Sequence, residues 1–213
     1  MQLESGYNHV RDYVILRRCS QFNTRHGLHI SGESPGDDVL RYFEGGYGGD
    51  YVWDMPSDHM GGTYWYHSHH HGATTLHVGG GAFGMIVVDS SKDRVPINVQ
   101  AMPERIAVIG FIDTSVKGYG GDKVVQGNIG DSGIYTFNGV QNANVCMPMN
   151  EWQHFRILFA SHKGTSSDVQ VAGAGCQVYL LARDGVWRTK APKELHPKDA
   201  SSDVKKGIRM TGQ

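Results

Sequence analysis

Short apolar runs that alternate with polar residues, each closed by glycine, asparagine or aspartate, constrain this chain more than any other feature. Thr63 to Ser68 reads TYWYHS, with Tyr64 and Tyr66 two apart. Ala82 to Asp89 reads AFGMIVVD and puts Phe83, Met85 and Val87 on one face. Trp152 to Ala160 reads WQHFRILFA and places Phe155, Ile157 and Phe159 in period two. The runs Asp12 to Arg17, Asp50 to Met55, Arg105 to Asp113 and Gln177 to Ala182 are of the same kind. No window carries a sustained helical stripe. The 29 glycines fit turns and bends better than helix interiors. The pattern predicts an all-β chain, a β-sandwich or a barrel.

At 213 residues there is room for one large domain or two small ones. The stretch SSKDRVPINVQAMP is polar, holds two prolines and follows a strong strand, so a boundary is expected between Asp89 and Pro103. Lys117 to Gly133 reads as a long surface loop. From Thr189 onward the chain is lysine-rich without apolar period, expected to be loose or a strand set cut short. Charge excludes some functions. With 20 Lys+Arg against 21 Asp+Glu there is no basic field to hold nucleic acid. Met85-Ile86-Val87-Val88 is far shorter than the ~20 apolar residues of a membrane helix. Cys19, Cys146 and Cys176 form no CxxC pair, so a zinc ribbon or a thioredoxin-type site has no support. Met1-Gln2-Leu3-Glu4 lacks the basic and apolar regions of a signal peptide, and the compartment stays open.

Of the 12 histidines, the informative ones lie in Gly61 to Gly72, GGTYWYHSHHHG. His67 and His69 are two apart on an expected strand. They share a face there, with Cβ atoms about 6.5–7 Å apart. That spacing suits two metal ions side by side better than one chelated ion. His70 would point to the opposite face, and His71 lies past the expected strand end. Imidazoles without thiolate favour copper, zinc, iron or nickel. Two plainer readings compete: adventitious surface metal binding by a histidine tract, and a hydrogen-bonded set of core histidines. His26 and His29 are three apart and would face opposite sides of a strand. His59, His77, His154 and His162 read as structural or loop residues.

The blocks HGLHISGESPGDDV and YVWDMPSDHMGGTYWYHSHHHGATTLHVGGGAFGMIVVD resemble, in order and spacing, the first cupredoxin domain of multicopper oxidases, the laccase-like enzymes. The resemblance runs from about His26 to Asp89. A second one, YTFNGVQNANVCMPMNEWQHFRILFAS followed by CQVYLLARDGVW, is to the second cupredoxin domain. It implies a cupredoxin-like Greek-key β-sandwich over residues 1–92, with 1–25 poorly matched. A second, incomplete cupredoxin-like domain over 103–190 and a loose tail over 191–213 follow.

The resemblance also implies a copper cofactor, and dioxygen and an electron donor as partners. Such enzymes oxidise substrates one electron at a time and reduce dioxygen to water. Both histidines of the HxH motif, here His67 and His69, are type 3 copper ligands in that family. The second histidine of its HxHG motif falls on His26, another type 3 ligand. The first, a type 2 ligand, falls on Thr24. His29, His70 and His71 are the next candidates, as supporting or surface groups. The family's HxxHxH and HCH motifs, which complete the copper sites, have no counterpart here. No cysteine is flanked by histidine, so no type 1 site is visible. The chain therefore resembles the front portion of a longer oxidase, with a partner domain or chain supplying the missing ligands. The family's members are often secreted or periplasmic. Two other functions remain at this stage: a non-catalytic copper-binding or structural cupredoxin protein, and a zinc-binding sandwich in which His26, His67 and His69 hold one ion.

Overall fold

The computed structural model describes residues 9–11, 25–43, 47–89, 95–114, 133–162, 177–183 and 185–195. The first region begins with β1 (His9–Arg11), β2 (Arg25–His26) and β3 (Val52–Asp54). There follow β4 (Gly62–His67), a six-residue helix α1 (Thr74–Gly79) and β5 (Phe83–Val88). β1 pairs antiparallel with β3, Val10 opposite Trp53. β2, β4 and β5 form a second antiparallel sheet. His26 stands across from Trp65, and β4 meets β5 from Gly62–Val88 to His67–Phe83. Trp53 of the first sheet meets Tyr64 and Ile86 of the second in one buried cluster. Leu28, Ile30, Tyr51, Tyr66 and Val88 surround it. The Tyr64 hydroxyl reaches the Met60 carbonyl at 2.9 Å, so this large ring is buried with its polar end satisfied.

The second region opens with a four-residue helix α2 (Ile97–Gln100). It continues through β6 (Glu104–Asp113), β7 (Gly133–Phe137) and β8 (His154–Ala160). β6 is the centre of its sheet. It runs antiparallel to β7 and parallel to β8, from Glu104–His154 to Gly110–Ala160. Ala107, Ile109 and Phe137 are its buried core, with Ala143, Val145, Phe155 and Phe159 packed against them. Phe137 and Val140 exchange two backbone hydrogen bonds of 2.9 and 3.0 Å around Asn138-Gly139. Asn138 at φ 50° and Gly139 at φ 81° give the twist a two-residue hairpin needs. The Asn138 side chain then behaves like an extra rung of the ladder. Its Oδ1 accepts the Val108 N–H at 2.8 Å and its Nδ2 donates to the Ile106 carbonyl at 2.9 Å. Beyond lie β9 (Val178–Leu180), β10 (Ala182–Arg183), β11 (Val186–Trp187) and β12 (Lys193–Leu195). β9 pairs with β12 and β10 with β11.

The two regions touch through β4, α1 and β5 on one side and β6 and β8 on the other. Arg156 of β8 is buried. It donates to Glu104 Oε2 at 2.7 Å and to Thr63 Oγ1 of β4 at 3.2 Å. The Phe83 ring lies over Gly110, where a Cβ would overlap it. Gly79 of α1 sits against the His162 ring and the Asp113 side chain. These glycines are needed for close approach and not for turns, a use that composition does not reveal.

The chain is all-β and cupredoxin-like. Among the described residues α1 and α2 are the helical departures from strand, each too short to show a helical stripe. The expected strand 63–68 is β4 at 62–67, and the expected strand 105–113 is β6 at 104–113. Within the expected tail, residues 193–195 form β12 and pair with β9. The expected strand at 12–17, most of the 117–133 loop, and residues 196–213 lie outside the described residues.

Candidate metal centre

β4 carries two jobs on two faces. Tyr64 points into the sandwich core, whereas Trp65 and His67 lie in the other phase of the strand. The Trp65 and His67 rings stack at 4.4 Å and 25°. His67 is 8% exposed although it does not belong to the sandwich core, because it lies beneath its own aromatic neighbour. β4 ends at His67, so Ser68 and His69 belong to the following loop. The His67 and His69 ring centroids are 6.2 Å apart, and the His69 and His71 centroids 5.7 Å apart. His70 turns elsewhere and stacks on His77 at 6.0 Å and 23°.

Hydrogen bonding sets the tautomer of the His67 ring. His67 Nδ1 is 2.9 Å from the Ser68 carbonyl oxygen. A carbonyl only accepts, so Nδ1 carries the proton, and in the neutral ring Nε2 keeps the lone pair. A metal-binding imidazole is commonly fixed in this way through its other nitrogen. His69 Nδ1 is buried and has no hydrogen-bond partner among the described residues. A buried polar atom left in that state calls for an explanation, and a metal ion supplies one. Both residues therefore fit a metal. His26 is placed by register across from Trp65, two residues before His67, and Thr24 lies outside the described residues. Among the described side chains no group of three His, Cys, Asp or Glu converges on one point.

The remaining histidines have other occupations. His59 Nδ1 donates to the Met60 carbonyl at 2.8 Å, and its Nε2 accepts the His29 N–H at 3.0 Å. Both nitrogens are used, so His29 and His59 tie two loops together. His154 lies 3.4 Å from Glu104, yet its pKa is lowered. Burial is the main cause and the Arg156 guanidinium the next. Glu104 pulls the other way but is already engaged by Arg156. His162 Nε2 is 3.0 Å from Asp113 Oδ2, both side chains almost wholly buried, but the pair lacks hydrogen-bond geometry. Cys146 is a free, exposed thiol; Cys19 and Cys176 lie outside the described residues.

Sequence reasoning read His77 only as a structural or loop residue and gave Ser68 no role. Ser68 is fully buried, and its hydroxyl is 2.6 Å from His77 Nδ1. Burial, and then the charge of neighbouring His70, lowers the His77 pKa, so the ring is neutral. The two residues are nine apart across a loop and a helix start, and no spacing rule joins them.

Residues 23–93, which contain β2 through β5 and the whole histidine cluster, match the family model described as multicopper oxidase. The chain is multicopper oxidase-like over this segment. Among solved structures, one similar chain is a variant of the McoA multicopper oxidase from the hyperthermophile Aquifex aeolicus. It has 20% identity and a TM-score of 0.56 over 84% of this chain and 39% of that one. Another is the multicopper oxidase mgLAC, with 20% identity and a TM-score of 0.57 over 84% of this chain and 55% of that one. At this identity the likeness is one of fold. The chain spans well under two thirds of either structure. Comparison with curated protein sequences gives no match. Copper is the cofactor that the family match implies.

Proposed function

We propose that this chain is a copper-binding part of a multicopper oxidase, taking part in one-electron substrate oxidation coupled to reduction of dioxygen to water. His67, His69 and His26 are the proposed type 3 ligands, and Thr24 occupies the position of a type 2 ligand. Residues about 1–92 form the copper-bearing cupredoxin-like domain and 103–190 a second one. The observation that carries the reading is the His67–His69 pair. Its ring centroids are 6.2 Å apart, one ring held through Nδ1 by the Ser68 carbonyl and the other with a buried Nδ1 that has no hydrogen-bond partner among the described residues, inside the segment that matches the family.

Bound copper would accept single electrons and pass them to dioxygen. The chain's own residues supply orientation and exclusion of water. Ser68 holds the His67 ring through its carbonyl, and Trp65 covers that ring on one face. Since none of Cys19, Cys146 and Cys176 is flanked by histidine, the residues for the substrate-facing type 1 copper would have to come from a partner domain or chain.

The test is a Cu(II) titration of the purified chain followed by electron paramagnetic resonance. Bound Cu(II) without intense blue absorption is expected, and His67→Ala combined with His69→Ala should abolish it while the fold persists. Exclusive uptake of zinc would overturn the copper reading. Steady oxidation of a phenolic donor by the isolated chain would overturn the assignment of the missing ligands to a partner.

A further inference from the structure

Ser68 sits between the two proposed ligands, and its environment is unusual for a serine. It is 0% exposed, and a buried hydroxyl must place its proton somewhere. Among the described residues, the acceptor within reach is His77 Nδ1 at 2.6 Å, a short contact for this pair of atoms. The His70 N–H approaches the same oxygen from the other side at 3.5 Å, near the limit for such a contact. Direction follows from this arrangement. The Ser68 O–H donates to Nδ1 of a neutral His77, which therefore carries its own proton on Nε2.

His77 is itself held firmly. Its N–H bonds the Ala73 carbonyl and its carbonyl takes the Ala82 N–H, both at 2.9 Å. Its ring is covered by His70 at 6.0 Å. The loop between β4 and α1 is tied at its other end too, where the Thr74 hydroxyl and N–H both donate to the His70 carbonyl at 2.9 Å. The backbone that aims His69 thus turns around one serine whose side chain is pinned to α1. The same serine's carbonyl orients His67.

We infer that His77 is a positioning residue for the metal centre: through the Ser68 hydroxyl it fixes the serine from which both the His67 ring and the His69 backbone are aimed. It is not proposed as a ligand. The inference rests on the copper-site reading above, and it concerns a histidine that lies outside the HxH and HxHG motifs.

The experiment compares the full chain with Ser68→Ala, His77→Phe, His77→Gln and the Ser68→Ala/His77→Phe double variant. Circular dichroism serves as a check of fold. Cu(II) affinity is read by calorimetry and ligand geometry by electron paramagnetic resonance. Loss of an outer-shell partner typically costs 10–100-fold in metal affinity. A loss of about 10-fold is therefore expected for Ser68→Ala and for His77→Phe, with altered Cu(II) spectra. The double variant should be no weaker than the worse single one, because both remove the same hydrogen bond. His77→Gln, which keeps an acceptor, should restore most of the affinity. Folded variants that bind and resonate like the wild type, or losses that simply add, would overturn the inference. If the wild type binds no copper, the proposed function fails by itself, and His77 is then judged by imidazole ¹⁵N shifts. A protonated Nε2, and an Nδ1 resonance that moves in Ser68→Ala, support the assignment; a protonated Nδ1 or an unmoved resonance overturns it.

Discussion

β4 and β6 are each the central strand of a three-stranded sheet, and each has histidines close by, but the two regions treat those histidines differently. Around β6 both described histidines face a carboxylate, His154 toward Glu104 and His162 toward Asp113. Around β4, the His67 ring is held by the Ser68 carbonyl and its centroid lies 6.2 Å from that of His69. A histidine held through one nitrogen by a backbone carbonyl, as His67 is, has the tautomer that the proposed metal centre requires. Histidine content alone does not separate these cases; the partner of each ring does.

The comparison can be broken most forcefully in the cores. Trp53→Ala removes the residue that joins the two sheets of the first region and should cost about 3–5 kcal/mol. Thermal melting monitored by tryptophan fluorescence should show that region failing while the β6 sheet keeps its amide protection. Loss of protection in both at once would mean that the regions melt as one unit. A smaller effect is expected at the junction. Gly110→Val puts branched carbons where the Phe83 ring lies and should cost about 1–3 kcal/mol of overpacking. Chemical denaturation would measure it, and an unchanged midpoint would show that Phe83 can simply turn away.

Asn138→Ala should cost about 1–2 kcal/mol. It removes the two amide hydrogen bonds to β6 and leaves a non-glycine residue without side-chain support at φ 50°. The effect should be confined to the second region in hydrogen exchange. The smallest expected effect is one of pH. The folded state holds His154 with a lowered pKa, so its contribution is fully present above the ordinary histidine value of 6.5 and is lost as the pH falls below that, through the lower folded value. Melting temperature should therefore decline between neutral pH and pH 5, less steeply in His154→Gln than in wild type. Equal slopes would show that His154 does not contribute.

How much of this was written in the sequence depends on the range of the interaction. β4, β5, β6 and β8 were legible because period-two alternation is local and their apolar faces are strong. His67 ends β4, but His69 lies in the loop after it, so the shared strand face expected from their two-residue spacing does not extend to His69. β2 and β11, two residues each, are set by the strand they pair with and leave no pattern of their own. α1 is six residues long and ends in the glycines of Val78-Gly79-Gly80-Gly81, which read as a break. The partners of Ser68 and Arg156 depend on contacts across 9 and 93 positions, and no one-dimensional rule supplies them.

The seat of α1 has an energetic consequence. This one helix meets Ser68 through His77 and, a half-turn on, rests Gly79 against His162 and Asp113 of the second region. Two events far apart in the chain therefore share a rigid lever. Binding free energies linked in this way are reciprocal: whatever factor by which a well-seated helix favours the ligand, the ligand returns to the seat. An occupied His67–His69 pair should then slow opening of the β6–β8 end that it never touches. A substitution at Asp113 would be felt as weaker affinity at the proposed centre, a coupling between a cofactor and the buried Asp113–His162 contact that runs through a single glycine.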